Sequence, residues 1–85
     1  MVYEIKLKKS AQKDLDALDN IIYIRIDNAI QGLKNDPFPR GVKKLRGGES
    51  RYRVRIGKYR MLYEVDHKHN LVIIYRIKLR QVAYD

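Results

Sequence analysis

Gly57-Lys58 stands between two runs that alternate strictly in polarity, and no other stretch leaves this backbone so little choice. Arg51–Ile56 sets Tyr52, Val54 and Ile56 on one side and Arg51, Arg53 and Arg55 on the other. Tyr59–Asp66 resumes the pattern, with Tyr59, Met61, Tyr63 and Val65 on its apolar side. A period of two over such lengths predicts half-buried strands. A Gly-X pair between them predicts a type II′ two-residue hairpin. The register follows by counting: Ile56 faces Tyr59, Arg53 faces Leu62, and Arg55 faces Arg60. Like charges opposed across neighbouring strands are destabilising. The best-defined turn of the chain therefore carries a pair that stability alone disfavours.

A third strand, Leu71–Lys78, follows the turn His67-Lys68-His69-Asn70 and is apolar on both faces until Arg76, as expected of a central strand. Its end returns to the start of the strand that begins at Tyr59, so Arg76, Lys78 and Arg80 approach Arg60 to within one residue of register. Cations from three strands thus converge on one end of one face, with Tyr84 just beyond Arg80. Cations beside an aromatic that can stack on a base form a pattern suited to single-stranded nucleic acid. The competing reading is a solvated face on which long arginines splay apart.

The first half is plainer. Val2–Lys8 alternates as a half-buried strand, with Tyr3, Ile5 and Leu7 on its apolar face. Ser10 is positioned to cap a short helix whose Ala11, Leu15 and Leu18 share a stripe. Asp19 or Asn20 caps a second helix over about 21–35, presenting Ile22, Ile26, Ala29 or Ile30, and Leu33 to a core. Asp36-Pro37-Phe38-Pro39 ends it, since proline cannot continue a helix. Residues 40–50 read as a basic loop with Gly41, Gly47 and Gly48. The expected fold is α+β, ordered β-α-α-β-β-β: an antiparallel sheet packed against an N-terminal helical hairpin.

Composition narrows the functional classes. The chain has 85 residues, enough for one small domain spanning residues 1–85, and 45% of them are hydrophobic, which excludes a disordered basic tail. With no cysteine there is no disulfide scaffold, thiolate metal site or thiol nucleophile. No apolar run approaches the roughly 20 residues of a membrane span, and the expectation is a cytoplasmic protein without a membrane partner. The formal charge is +9, which points to a polyanionic partner. Residues 1–40 hold seven basic and six acidic side chains, whereas residues 41–85 hold twelve and four. The electrostatic footprint therefore lies in the second half.

The run from Tyr52 through Arg53, Arg55, Gly57, Lys58, Tyr59, Arg60 and Tyr63 to Val65, closing with Arg80 and Tyr84, resembles the RelE branch of the RelE/ParE toxin superfamily. The resemblance extends over nearly the whole chain, including the helical hairpin and the Asp36-Pro37 break. It implies a RelE-like fold and the toxin of a type II toxin–antitoxin pair. It also implies a ribosome-dependent endoribonuclease that cuts mRNA in the ribosomal A site and leaves a 2′,3′-cyclic phosphate. The implied partners are an acidic, RelB-like antitoxin, the 70S ribosome and mRNA; no cofactor or metal is implied.

The family's catalytic positions fall on Arg53, Arg55, Arg60, Arg80 and Tyr84. The first two are lysines in the best-known members, and Leu79 stands where a His is often found. An arginine cannot serve as a general base near neutral pH, so these guanidinium groups are expected to grip phosphate and stabilise developing charge. On that reading Arg60 and Arg80 hold the scissile phosphate, and Arg53 and Arg55 hold the adjoining backbone. Tyr84 stacks on or orients the nucleotide and takes the proton of the mRNA's 2′-hydroxyl.

Arg51, Arg76 and Lys78 extend the cationic face as expected RNA contacts. Lys43, Lys44 and Arg46 read equally as solvated charge or as contacts to ribosomal RNA. His67 and His69 are expected as turn residues, because Asp66 is their only adjacent further ligand. Asp14, Asp16 and Asp19 read as the exposed edge of a helix. Two other functions remain open on these residues: a ParE-like inhibitor of DNA gyrase, and a non-catalytic RNA-binding module or inactive toxin remnant.

Overall fold

The chain runs β1 (Glu4–Leu7), α1 (Lys9–Asp16), α2 (Asn20–Leu33), β2 (Lys43–Lys44), β3 (Arg51–Ile56), β4 (Tyr59–Asp66) and β5 (Leu71–Leu79). These elements come from a computed structural model that describes residues 2–46 and 50–79. The strands form one sheet in the order β1-β5-β4-β3-β2. From β2 to β5 the sheet is antiparallel, as expected, but β1 joins it parallel to β5, pairing Glu4 with Leu71 and Leu7 with Ile74. The helical hairpin between β1 and the rest carries the chain back across the sheet, which leaves β1 free to lie alongside the last strand. The middle strand is accordingly β4, with β5 interior between it and β1.

The β3–β4 hairpin has the register that alternation predicts: Ile56 opposite Tyr59, Arg55 opposite Arg60, Arg53 opposite Leu62. Gly57 takes φ +60° while Lys58 keeps a negative φ, the signature of a II′ turn. A Cβ at Gly57 would also lie 3.1 Å from the Arg25 guanidinium of α2. Residues 40–50, expected as a loop, contribute the two-residue strand β2, whose Lys43 and Lys44 pair with Arg53 and Tyr52.

Burial follows the apolar stripes. Ala11 and Leu15 of α1, with Ile26, Ile30 and Leu33 of α2, pack on Val54, Met61, Tyr63, Val65, Val72, Ile74 and Ile77 of the sheet. Asp19 caps α2, its Oδ1 accepting from the Ile22 amide at 3.1 Å. At the break after α2, Asp36 Oδ1 accepts from the Phe38 amide at 3.0 Å. The Pro37 carbonyl there accepts the Tyr63 hydroxyl at 2.7 Å. The one polar atom of the largest core side chain is thereby satisfied, tying the end of α2 to β4. Burial pushes the Tyr63 phenol well above its ordinary range, helped by Asp36 and Tyr52.

Two local expectations change. The residue capping α1 is Lys8, without a side-chain bond, and the Ser10 hydroxyl instead donates to the Tyr75 carbonyl at 2.7 Å. Asp14, expected on an exposed helical edge, is only 19% exposed at its side chain and is bonded to β5.

That contact lies at a β-bulge. Tyr63 pairs with Ile74 and Leu62 pairs with Arg76, so Tyr75 is the extra residue of β5. A bulge resets the alternation of a strand. Val72 and Ile74 are buried before it, and the next buried residue is Ile77, three positions on.

Candidate nucleic-acid interface

The hairpin and the bulge together arrange the cations. Residues paired across antiparallel strands share a face, so Arg55, Arg60 and Lys78 form one row across β3, β4 and β5. Neighbouring strands are about 4.8 Å apart, which confines the three Cα atoms to a span of about 10 Å. The next row holds Lys43, Arg53, Leu62 and Arg76. It lies about 7 Å away along the strands. Both rows lie on the face opposite the packed core, because Val54, Met61 and Ile77 alternate with them and are buried.

Of the sequence-derived site residues, Arg53, Arg55, Arg60 and Lys78 are brought together. Arg55 and Lys78 are exposed, and Arg53 and Arg60 are half-buried. Among the described residues the close carboxylate contacts to basic side chains are Asp14–Arg76 and Asp66–His69, so none of these four is in an ion pair with a described carboxylate. Arg80 and Tyr84 lie outside the described residues.

Three other candidates are placed apart. Arg51 lies on the same face but at its far end, opposite Glu64, with its guanidinium carbon 5.5 Å from the centre of the Tyr75 ring. Lys44 pairs with Tyr52 and so takes the opposite parity from Lys43, on the helix-covered side. Arg46 is exposed in the segment after β2.

Arg76 departs from the expected cluster. Its Nε donates to Asp14 Oδ2 at 2.8 Å and a terminal guanidinium nitrogen donates to Oδ1 at 3.2 Å. The Ile77 amide donates to the same carboxylate at 2.9 Å. Burial acts to raise the pKa of Asp14, but the hydrogen bonds from Arg76 and Ile77, with the charges of Arg76 and Lys78, hold it below the usual carboxylate range. The Asp14 hydrogen bond correspondingly raises Arg76. Neither the bulge nor this contact is foreseen by simple alternation. Their trace in the sequence is the three-residue step from Ile74 to Ile77, after a two-residue step from Val72.

The turn histidines behave as turn residues. Asp66 accepts from the His69 amide at 3.1 Å and contacts His69 Nδ1 at 2.8 Å; these His69 bonds, the side-chain one foremost, lower the Asp66 pKa. His67 Nδ1 lies 3.1 Å from the Tyr3 hydroxyl. Among the described residues, no three His, Asp or Glu side chains gather as a metal site would require.

A separate concavity of about 290 Å³ opens between α2 and the hairpin turn, lined by Ile22, Arg25, Ile26, Ile56 and Tyr59 among others. Ile56 and Tyr59 alternate with Arg55 and Arg60, so this hollow faces away from the cationic rows. It brings two cations, Arg25 and Lys58, to a largely apolar lining, whereas the open face sets four cations in adjoining rows and is the better candidate for a polyanion.

Comparison with known proteins agrees with this architecture. Residues 5–84 match the family described as the ParE toxin of type II toxin–antitoxin systems, parDE. The chain is 34% identical to a protein named as toxin RelE1 of Methanocaldococcus jannaschii, over 99% of this chain and 97% of that one. Its fold is similar to the archaeal RelE–RelB complex from Pyrococcus horikoshii, with a TM-score of 0.87 at 34% identity, covering 98% of this chain and 100% of that chain. It is likewise similar to the RelBE2 toxin–antitoxin complex of Mycobacterium tuberculosis, with a TM-score of 0.81 at 30% identity, covering 94% and 100%. The chain belongs to the RelE/ParE superfamily of type II toxin–antitoxin toxins, on its RelE side.

Proposed function

We propose that this protein, acting as a single toxin domain over residues 1–85, halts translation by cutting mRNA in the ribosomal A site. The observation that carries this reading is the row Arg55, Arg60 and Lys78 with Arg53 beside it, cations that are in no ion pair with a described carboxylate. In the reaction the mRNA's own 2′-hydroxyl attacks the neighbouring phosphorus and the bond to the 5′ oxygen breaks, leaving a 2′,3′-cyclic phosphate. Arginines remain protonated throughout. Arg60, with Arg80, stabilises the charge that grows on the scissile phosphate, while Arg53 and Arg55 grip adjoining backbone, bidentately where geometry allows. Tyr84, as a phenolate, orients the nucleotide and takes the 2′-hydroxyl proton, and the departing 5′ oxygen is protonated from water. Positioning of the RNA falls to the ribosome, with Lys43, Lys44, Arg46 and Arg51 as candidate contacts to mRNA or ribosomal RNA. The reaction needs no metal or cofactor, and its place is the cytoplasm. No helix of the described residues is long and apolar enough to cross a membrane.

The partner that silences it is a cognate acidic antitoxin, as the toxin–RelB complexes among its structural relatives suggest. Twelve basic against four acidic side chains in residues 41–85 attract such a partner. The apolar hollow under the hairpin turn, flanked by Arg25 and Lys58, fits an amphipathic segment of it that carries acidic residues.

The ParE description of the matching family favours a second reading, inhibition of DNA gyrase without nuclease chemistry. One experiment separates the two: expression without antitoxin, followed by mapping of mRNA 5′ ends. Codon-phased cuts within translated regions are expected. DNA damage with intact mRNA would support gyrase inhibition, and neither effect from a folded protein would leave a non-catalytic module.

A further inference from the structure

We propose that Asp14 is a positioning residue, which fixes the bulge of β5 from α1 and so decides that Lys78 joins Arg55 and Arg60. This rests on the ribonuclease reading above and adds to it a residue that touches no RNA.

The strand β1 ends at Leu7, opposite Ile74. Beyond Ile74, the β1 edge of β5 has no strand neighbour, and α1 takes over that edge. The Lys8 amide donates to the Ile74 carbonyl at 2.9 Å, and the Ser10 hydroxyl donates to the Tyr75 carbonyl at 2.7 Å. Asp14 accepts from the Ile77 amide and from the Arg76 guanidinium. Lys8 and α1 therefore satisfy polar groups of β5 that the end of β1 leaves without a strand partner, on either side of the bulge.

The consequence is one of phase. Val72 and Ile74 point into the core. Uninterrupted alternation from them would aim Arg76 and Lys78 at the core as well. With Tyr75 as the extra residue, Ile77 fills the core and Lys78 emerges opposite Arg60. Bulges characteristically re-aim a side chain in this way beside a site. Asp14 is suited to hold the phase because its two oxygens grip the backbone and the side chain of consecutive residues just past the bulge. Losing that grip leaves the Ile77 amide without its acceptor and frees the end of β5 to move.

An ordinary half-buried ion pair would contribute to stability alone, and the test must separate the two roles. Cleavage of a defined mRNA on purified translating ribosomes is measured for the wild type, Asp14→Ala and Ile30→Val. The last truncates the core on α2, which makes none of the hydrogen bonds at the bulge. Hydrogen exchange of the Ile77 amide reports the grip directly. The expected result for Asp14→Ala is a loss of Ile77 protection, retained protection of the Val65 and Val72 amides, and an unchanged KM. Its kcat falls on the order of 10- to 100-fold, the scale of an ångström-sized misplacement. Ile30→Val keeps the wild-type kcat although it lowers the melting temperature. Should Asp14→Ala fail to fold, Ser10→Ala removes only the Tyr75 contact and is expected to lower kcat by a smaller factor. A wild-type kcat in Asp14→Ala, or in Ser10→Ala where Asp14→Ala does not fold, overturns the proposal. A wild type that cuts nothing removes the ribonuclease reading itself.

Discussion

The two faces of β3, β4 and β5 are built from alternate residues of the same strands, yet they differ in how completely their polar groups are satisfied. On the core face Tyr63 is fully buried and its hydroxyl is bonded to Pro37. No buried side-chain nitrogen or oxygen among the described residues lacks a partner there or elsewhere. On the outer face Arg55 opposes Arg60, Arg60 opposes Lys78, and none of the three is in an ion pair with a described carboxylate. One face is arranged for stability, and the other holds charge that stability disfavours. The difference teaches where to look for function. A local rule is broken on one side of a hairpin whose other side obeys every rule, and such breaks tend to mark sites.

Substitutions on the two faces should therefore have effects of opposite kind. The largest is expected for Arg55→Ala combined with Arg60→Ala. Mutating one donor to a developing anion typically costs roughly 100- to 1,000-fold, so ribosome-dependent cleavage by the double variant should fall at least on the order of 1,000-fold. Its melting temperature should equal or exceed that of the wild type. On the core face Tyr63→Ala should destabilise by about 3–5 kcal/mol, read from urea unfolding. Tyr63→Phe, which removes only the bond to Pro37, should cost about 1 kcal/mol.

Acid tests the carboxylates that clasp the ends of β5. Asp14 and Asp66 both have native pKa values held below the ordinary one. Their contribution to stability is therefore fully present above the unfolded value of about 3.9. It is lost as pH falls through the lower native values. Thermal melts should be flat in this respect near neutrality and drop below about pH 4. Asp14→Asn should remove part of that drop. The smallest effect is the most diagnostic in sign: Arg55→Thr relieves an opposed like-charge pair and should stabilise by roughly 0.2–1 kcal/mol. The gain should shrink as added salt screens the pair.

How much of this was legible in the sequence depended on whether a local signal stood alone. Strict alternation around Gly57-Lys58 was enough for the β3–β4 register and for the opposition of Arg55 and Arg60. Asp19 was readable as a cap, and Asp36-Pro37 as a stop, since both act within a few residues of themselves. The parallel placement of β1 was not readable, because nothing in Val2–Lys8 says which edge it will meet. Ser10 was misread for a similar reason: a serine before a helix is an N-cap unless a distant carbonyl, here that of Tyr75, offers more. Asp14 and Arg76 are far apart in the chain, and their pairing depends on a bulge that the sequence shows only as an irregular step from Ile74 to Ile77. Arg76 was thus grouped with the RNA-binding cations although its guanidinium is engaged by a helix. Arg53, Arg55, Arg60 and Lys78 were grouped correctly in space, while Arg80 and Tyr84 lie outside the described residues.

The central claim is that the outer face is a phosphate site that cuts RNA. Purified ribosomes stalled on a defined mRNA, mixed with the wild-type protein and with the Arg55→Ala, Arg60→Ala variant, test it most directly. The wild type should cut within the A-site codon and leave a 2′,3′-cyclic phosphate, while the variant melts no lower and leaves the mRNA whole. Equal cutting by both proteins, or an intact message with folded wild type, would contradict it.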